Sequence, residues 1–189
     1  MILDVVKIPD TLLREKSVPV TQLDDEIRKL IDDMFDTMYA ESGVGLAAVQ
    51  VGKLLRLFVL DDNSGHKMAF INPQIVSTST EYCQLEEGCL SVPGYYENIN
   101  RPEKVTVQAL NENGKRFTVQ ADGYFARIIQ HEYDHLDGIL YIDKGDQDVK
   151  AKIMADCEKR ALRKAQKDAK KAAKIAKINA KKAQKAKSE

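Results

Sequence analysis

One stretch constrains this chain more than any other: Gln130-His131-Glu132-Tyr133-Asp134-His135-Leu136-Asp137-Gly138. It holds two of the three histidines in 189 residues. Side chains four residues apart on a helix stand one above the other on the same face, so both imidazoles can reach one metal ion. Glu132 is offset by about 100° and flanks such a metal instead of entering its shell. Two ligands beside a carboxylate able to carry protons is the HExxH arrangement. The alternative, a solvated polar helix face, has to explain three uncommon requirements meeting in five residues. The arrangement also leaves a third ligand to be supplied from elsewhere.

Cys89 is the candidate for that ligand. It stands in Glu86-Glu87-Gly88-Cys89-Leu90-Ser91-Val92-Pro93-Gly94, beside a glycine and ahead of a polar residue and a turn. Cys83 has an ordinary strand context and reads as packed, and Cys157 lies in the C-terminal helix with no histidine near it. Three cysteines do not form a disulfide framework, which points to a reducing cytoplasm. The first ten residues carry Asp4 and Lys7 and do not read as a signal peptide. No segment reaches the roughly 18 apolar residues that span a bilayer. His66, at the end of the Asp62–Gly65 turn, reads as a surface loop residue.

Residues 1–23 read as an irregular entry with a helical turn near Pro9–Arg14. From Asp24 to Glu41, Ile27, Leu30, Ile31, Met34, Phe35 and Met38 recur at helical spacing, an amphipathic helix that Gly43 ends. Ser42–Gly52 is small and apolar. Its glycines allow close backbone approach, and Gln50 is its one polar side chain of note. Strands are expected at 55–60, 67–71, 74–79, 105–110 and 116–121, the last two joined by a hairpin turn at Asn111–Gly114. Asp122 then caps a helix that presents Tyr124, Arg127, Ile128, His131 and His135 on one face, so residues one and two turns before His131 line the approach to the metal. Gly138 ends it.

The zero net charge hides an asymmetry. Residues 150–189 carry 15 Lys+Arg against 4 Asp+Glu, net +11; the remainder carries 14 against 25, net −11. A helix from about Gln147 becomes almost wholly Ala and Lys. Arg163, Lys167, Lys170, Lys174, Lys177, Lys181 and Lys185 form a basic stripe backed by alanines. Such a helix is either a solvated extension or a salt-sensitive polyanion grip. Ile153, Met154 and Leu162 suggest that its near end packs on the body.

Together the stretches resemble the peptide deformylase family, whose three signatures occur in order: Gly43-Val44-Gly45-Leu46-Ala47-Ala48-Val49-Gln50, Glu87-Gly88-Cys89-Leu90-Ser91, and Gln130-His131-Glu132-Tyr133-Asp134-His135-Leu136. The resemblance covers roughly residues 1–145. It implies an α+β fold in which antiparallel strands wrap a central helix bearing His131 and His135, with an N-terminal amphipathic helix and a C-terminal helix. It implies a catalytic domain over residues 1–147 and a basic extension over 148–189. The implied metal ligands are Cys89, His131 and His135, holding one divalent ion: ferrous iron first, with nickel, cobalt or zinc able to occupy the site. The implied catalytic groups are Glu132, the Gln50 amide and the Leu90 N–H. The implied substrate-binding residues are Gly43, Val44, Gly45, Glu87, Tyr124, Arg127 and Ile128. The reaction would be removal of the N-formyl group from the N-terminal methionine of new polypeptides by a cytoplasmic monomer, with the tail near ribosomal RNA. Two rival readings are an HExxH metallopeptidase and a non-catalytic ribosome- or RNA-binding protein. The first lacks a downstream histidine ligand; the second leaves the Cys/His/His/Glu set unexplained.

Overall fold

The run Leu57-Phe58-Val59-Leu60 is fully buried, and strand alternation sends its side chains to opposite faces of a sheet. The computed structural model describes residues 1–185. Its main sheet is antiparallel, in the order β1 (Gly45–Ala47), β2 (Leu57–Asp61), β3 (Lys67–Thr78), β6 (Lys104–Leu110), β7 (Arg116–Asp122). On one face Leu57, Val59, Ala69 and Ile71 pack against Ile31, Met34, Phe35 and Met38 of α1 (Asp25–Ala40). On the other, Phe58, Leu60, Phe70, Val105 and Val107 pack against Ala126, Ile128, Ile129 and Leu136 at α2 (Gly123–His135). The helix with the histidines is thus held by an apolar face while its polar face looks away from the sheet.

A second sheet covers that side. β4 (Tyr82–Cys89) and β5 (Val92–Pro102) form an antiparallel pair. Val92 and Ile99 pack with Ile8, Leu13, Leu140, Tyr141 and Ile142, and with Ile153 and Cys157 of α3 (Gln147–Lys185). The first turns of α3 are therefore core-forming. The side chains given from Glu158 to Ala173 are exposed. The basic stripe from Lys174 on lies outside the described side chains.

Several local expectations differ from what forms. The stretches 67–71 and 74–79 are one strand, broken by a bulge at Asn72-Pro73. Proline has no N–H for the ladder, and Asn72 (φ 50°) restores local bonding by taking the Val20 N–H and returning a bond to the Val20 carbonyl. The left-handed residue after α1 is Ser42 (φ 58°) instead of Gly43, whose N–H reaches back to the Met38 carbonyl at 2.8 Å. Asp122 flanks α2 without a side-chain capping bond. α2 itself stops at His135. Gly138 (φ 72°) belongs to the following turn, where any Cβ would collide with the Arg14 backbone. The β4–β5 pair, whose outer face is polar, was not legible as a hairpin.

Asp143 joins the N-terminal segment to the start of α3. Its carboxylate pairs with Arg14 and Lys150 and accepts the Leu140 N–H. Burial opposes its ionisation, but these partners outweigh burial and hold its pKa below the usual carboxyl range. A lowered folded-state pKa means stability that is present above about pH 4 and is lost as pH falls through the folded value. Asp143→Asn should therefore melt a few degrees below the parent at pH 7, and the gap should narrow below about pH 4. Thermal unfolding followed by circular dichroism at pH 7, 5, 4 and 3 checks this.

Candidate active site

Two elements bring the three candidate ligands together. α2 carries His131 and His135 one turn apart, and β4 ends on Cys89. A donor atom from each lies within 4.8 Å of the others, and Cys89 Sγ stands 3.3 Å from His135 Nε2. The rings of His131 and His135 meet edge-on with centroids 5.1 Å apart. A thiol and two imidazoles suit a tetrahedral divalent metal with one position left open, the pattern of a catalytic site.

The surroundings also fit a positive centre. His131 Nδ1 is 2.8 Å from Glu87 Oε2, which turns Nε2 toward the ligand position. Burial disfavours a charged His131, but Cys89 and Glu87 overcome it and raise its pKa well above the ordinary value. Burial and the charge of His131 together push His135 well below its own.

Glu87 is held from three sides. Arg101 makes a two-armed pair with it, Nε to Oε1 at 2.6 Å and Nη2 to Oε2 at 2.9 Å. Arg127 Nη1 donates to Oε1 at 2.9 Å. Burial opposes the charge on Glu87, yet His131 and Arg101 keep its carboxyl far below the ordinary range. Arg101 also reaches Asp134 at 2.6 Å, and Lys144 closes that end. Arg127 Nη1 also donates to the Ile99 carbonyl and Nη2 to the Cys83 carbonyl. Glu87 and Arg127, both expected among the substrate-binding residues, are buried beside the histidines and also border the cleft; the Glu87 carboxylate is engaged by protein, while Arg127 Nε has no partner among the described residues. A carboxylate buried against the His131 ring needs cations, and Arg101 and Arg127 supply them. Arg101 and Asp134 were missed altogether. The available signal was that Arg101 shares the inward face of its strand with Ile99.

Glu132 is 4 % exposed. Its Oε2 has no hydrogen-bond partner among the described residues, and burial pushes its pKa up to about 7, with His131 pulling down and Glu87 pushing up. That is the range in which a carboxyl both takes and gives a proton near neutrality. Gly45 makes room for it: a Cβ there would lie 2.8 Å from Glu132 Cδ. The register explains the contact. Leu46 faces α1, so Gly45 and Ala47, one residue either side, face α2.

Gln50 is oriented by its oxygen. Oε1 accepts the Ala47 N–H at 2.8 Å, which leaves Nε2 to donate to Ser91 Oγ at 3.1 Å and to lie 3.5 Å from Cys89 Sγ. The Leu90 N–H, in the turn after Cys89, has no partner among the described residues. A cleft of about 490 Å³ opens above these groups, lined by Gly43, Val44 and Gly45 on one side, Glu86–Leu90 and Val92–Tyr96 on the other, and Tyr124, Arg127 and Ile128 from α2. β1 is an edge of its sheet. Val44 bonds β2 through its carbonyl, so by alternation the Gly45 N–H and C=O turn to the open side, toward the cleft. His66 stays outside this site, stacked on Phe125 and bonded to Asp62.

A partly buried sulfur–nitrogen–nitrogen donor set with a protonatable carboxylate, at the floor of a cleft bordered by an open strand edge, has the make-up of a metal-dependent hydrolase. The polypeptide deformylase profile matches residues 2–151, and the chain belongs to that family. It is 55 % identical over 131 residues to a peptide deformylase of Treponema pallidum, covering 69 % of this chain and 80 % of that one. It is 46 % identical over 167 residues to peptide deformylase 1 of Shewanella oneidensis, covering 87 % and 99 %. Among solved structures, a peptide deformylase from Legionella pneumophila aligns with a TM-score of 0.81 at 41 % identity, covering 87 % of this chain and 98 % of that one. The Ehrlichia chaffeensis enzyme in complex with actinonin aligns at 0.80 and 40 %, covering 84 % and 97 %. The chain is a hydrolase that removes the N-formyl group from newly made polypeptides, and metal binding is a family property. No helix among the described residues is long and apolar enough to cross a membrane.

The packing of Gly45 on Glu132 leaves no room for a methyl group. Gly45→Ala should lower kcat/KM by about 10²-fold through displacement of the carboxylate, with metal content unchanged. Steady-state kinetics beside elemental analysis of the same preparations checks it.

Proposed function

We propose that Cys89, His131 and His135 hold one divalent metal and that Glu132, Gln50 and Leu90 carry out formyl hydrolysis around it. The supporting observation is the buried Glu132 carboxylate, with one oxygen unpartnered among the described residues, next to the three donors. The metal supplies positive charge that acidifies water and polarises the formyl oxygen. Glu132 takes a proton from the attacking water, and the oxygen adds to the formyl carbon. The resulting oxyanion faces the Gln50 Nε2 and Leu90 N–H donors. Glu132 then delivers its proton to the amine as the C–N bond breaks, leaving formate and a free N-terminus. Gly43, Val44 and Gly45 take the peptide backbone as an added strand, and Ile128 and Tyr124 wall the methionine side chain.

Iron(II) is our first choice of metal. One thiolate and two imidazoles equally accept nickel, cobalt or zinc. We assign the catalytic unit to residues 1–147 and the extension to 148–189, and place the enzyme in the cytoplasm as a monomer. The basic tail rests against ribosomal RNA, near the chains on which the enzyme acts; its net charge of +11 over residues 150–189, from 15 Lys+Arg against 4 Asp+Glu, supports this.

Formate release from a formyl-Met tripeptide, by protein loaded anaerobically with iron or nickel, tests the chemistry. Glu132→Gln should abolish turnover to below about 10⁻³ of the parent with metal retained, since one group serves both proton transfers; loss of metal alongside activity would remove the assigned role. For the tail, deletion of residues 164–189 should weaken co-sedimentation with ribosomes and flatten its salt dependence. Unchanged sedimentation would sink that part of the proposal.

A further inference from the structure

The far wall of the cleft has an unusual attachment. β4 and β5 pair in one register up to Gly88 and Tyr96, then jump to Cys89 opposite Val92. Pro93, Gly94 and Tyr95 fall in the jump and have no ladder partner, yet all three line the cleft. A strand segment outside its ladder must be held by other contacts.

Tyr95 supplies them. Its carbonyl accepts the Tyr141 hydroxyl at 2.9 Å, and the Tyr141 ring stacks on that of His131 with centroids 5.9 Å apart. Its hydroxyl donates to Asp156 Oδ2 at 3.3 Å, and the Arg160 guanidinium lies over its ring, 5.1 Å from the centroid. Asp156 and Arg160 are on α3, at i+3 and i+7 from Ile153, so they extend the stripe on which Ile153 and Cys157 are buried. Two residues along, Glu97 accepts the Asp146 N–H at 2.5 Å, just before α3 begins. Burial of Ile153 and Cys157 is enough to dock the helix. The polar grip on Tyr95 adds a directional hold on the loose segment of the cleft wall.

We infer that Tyr95 is a positioning residue for the substrate-binding wall, and that Asp156 and Arg160 fix it there, so that the C-terminal helix helps to set substrate affinity. This rests on the reading of the cleft as the peptide site. The reacting groups lie on α2, the turn after β1 that carries Gln50, and the Cys89 turn, so release of the grip loosens binding without moving them.

The test uses the full chain, metal-loaded, with Tyr95→Phe, Asp156→Ala, Arg160→Ala, the double variant Tyr95→Phe/Asp156→Ala, and Lys170→Ala as a distal control. For a formyl-Met tripeptide, each single variant should raise KM roughly three- to fivefold, the size of one lost hydrogen bond or cation–π contact, with kcat within about twofold. The double variant should be no worse than either of its singles, because both remove one bond. Lys170→Ala should match the parent. Calorimetric binding of the deformylated product Met-Ala-Ser should weaken in parallel, a readout that needs no turnover. Unchanged KM and unchanged product affinity in Tyr95→Phe and Arg160→Ala would overturn the inference. So would equal losses in kcat, KM and melting temperature, which describe simple destabilisation. If the parent releases no formate while product binding still follows the variants, the hydrolysis reading fails and the inference stands.

Discussion

Glu87 is the point where the two halves of the fold are joined by charge. It lies on β4, its cations come from β5 and α2, and its third partner is His131 on α2. An ion pair this deep is weak evidence for stability in itself, because desolvation offsets most of the attraction. Its effect is geometric. With one of the four groups missing, a charge is stranded out of water at a cost of about 3–5 kcal/mol. The small sheet therefore cannot slide over α2, and Cys89, two residues beyond Glu87, reaches the histidines in a set position.

Around this centre the apolar layers leave little freedom. α1 and α2 cover opposite faces of the main sheet, so the register of β1 decides which residue lies under Glu132. Only a glycine fits there, and the same residue turns its backbone groups to the open edge. One position thus makes room for the buried Glu132 carboxylate and turns its own backbone groups toward the cleft. The wall across the cleft is held differently, by tyrosines that connect β5 to His131 and to the start of α3.

Much of this could be read without coordinates. The i, i+4 histidines with Glu132 between them, the lone Gln50 in a small-residue run, and Cys89 beside a glycine carried the site chemistry. α1, α2, the start of α3 and the β6–β7 hairpin followed from periodicity and turn residues. Other features were hidden for physical reasons. β1 is three residues long and paired on one side only, too short for an alternating pattern. The β4–β5 pair has a polar outer face, and its inward partners include Arg101, a residue that composition places on the surface. Arg127 shares a helix face with His131, which suggested contact with substrate; in the fold its guanidinium turns to Glu87 and to carbonyls of the small sheet.

The sequence by itself determined the HExxH spacing of His131, Glu132 and His135 on α2, the apolar faces and the charge split between body and tail. These depend on residue type and helical or strand period, which are local. The tertiary structure alone decided that Cys89 meets the histidines, that Gly45 lies beneath Glu132, that Arg101 and Arg127 neutralise Glu87, and that α3 grips the cleft wall through Tyr95. Those are contacts between residues far apart in the chain, set by layer packing and by the need of each buried charge for a partner, and no local pattern encodes them.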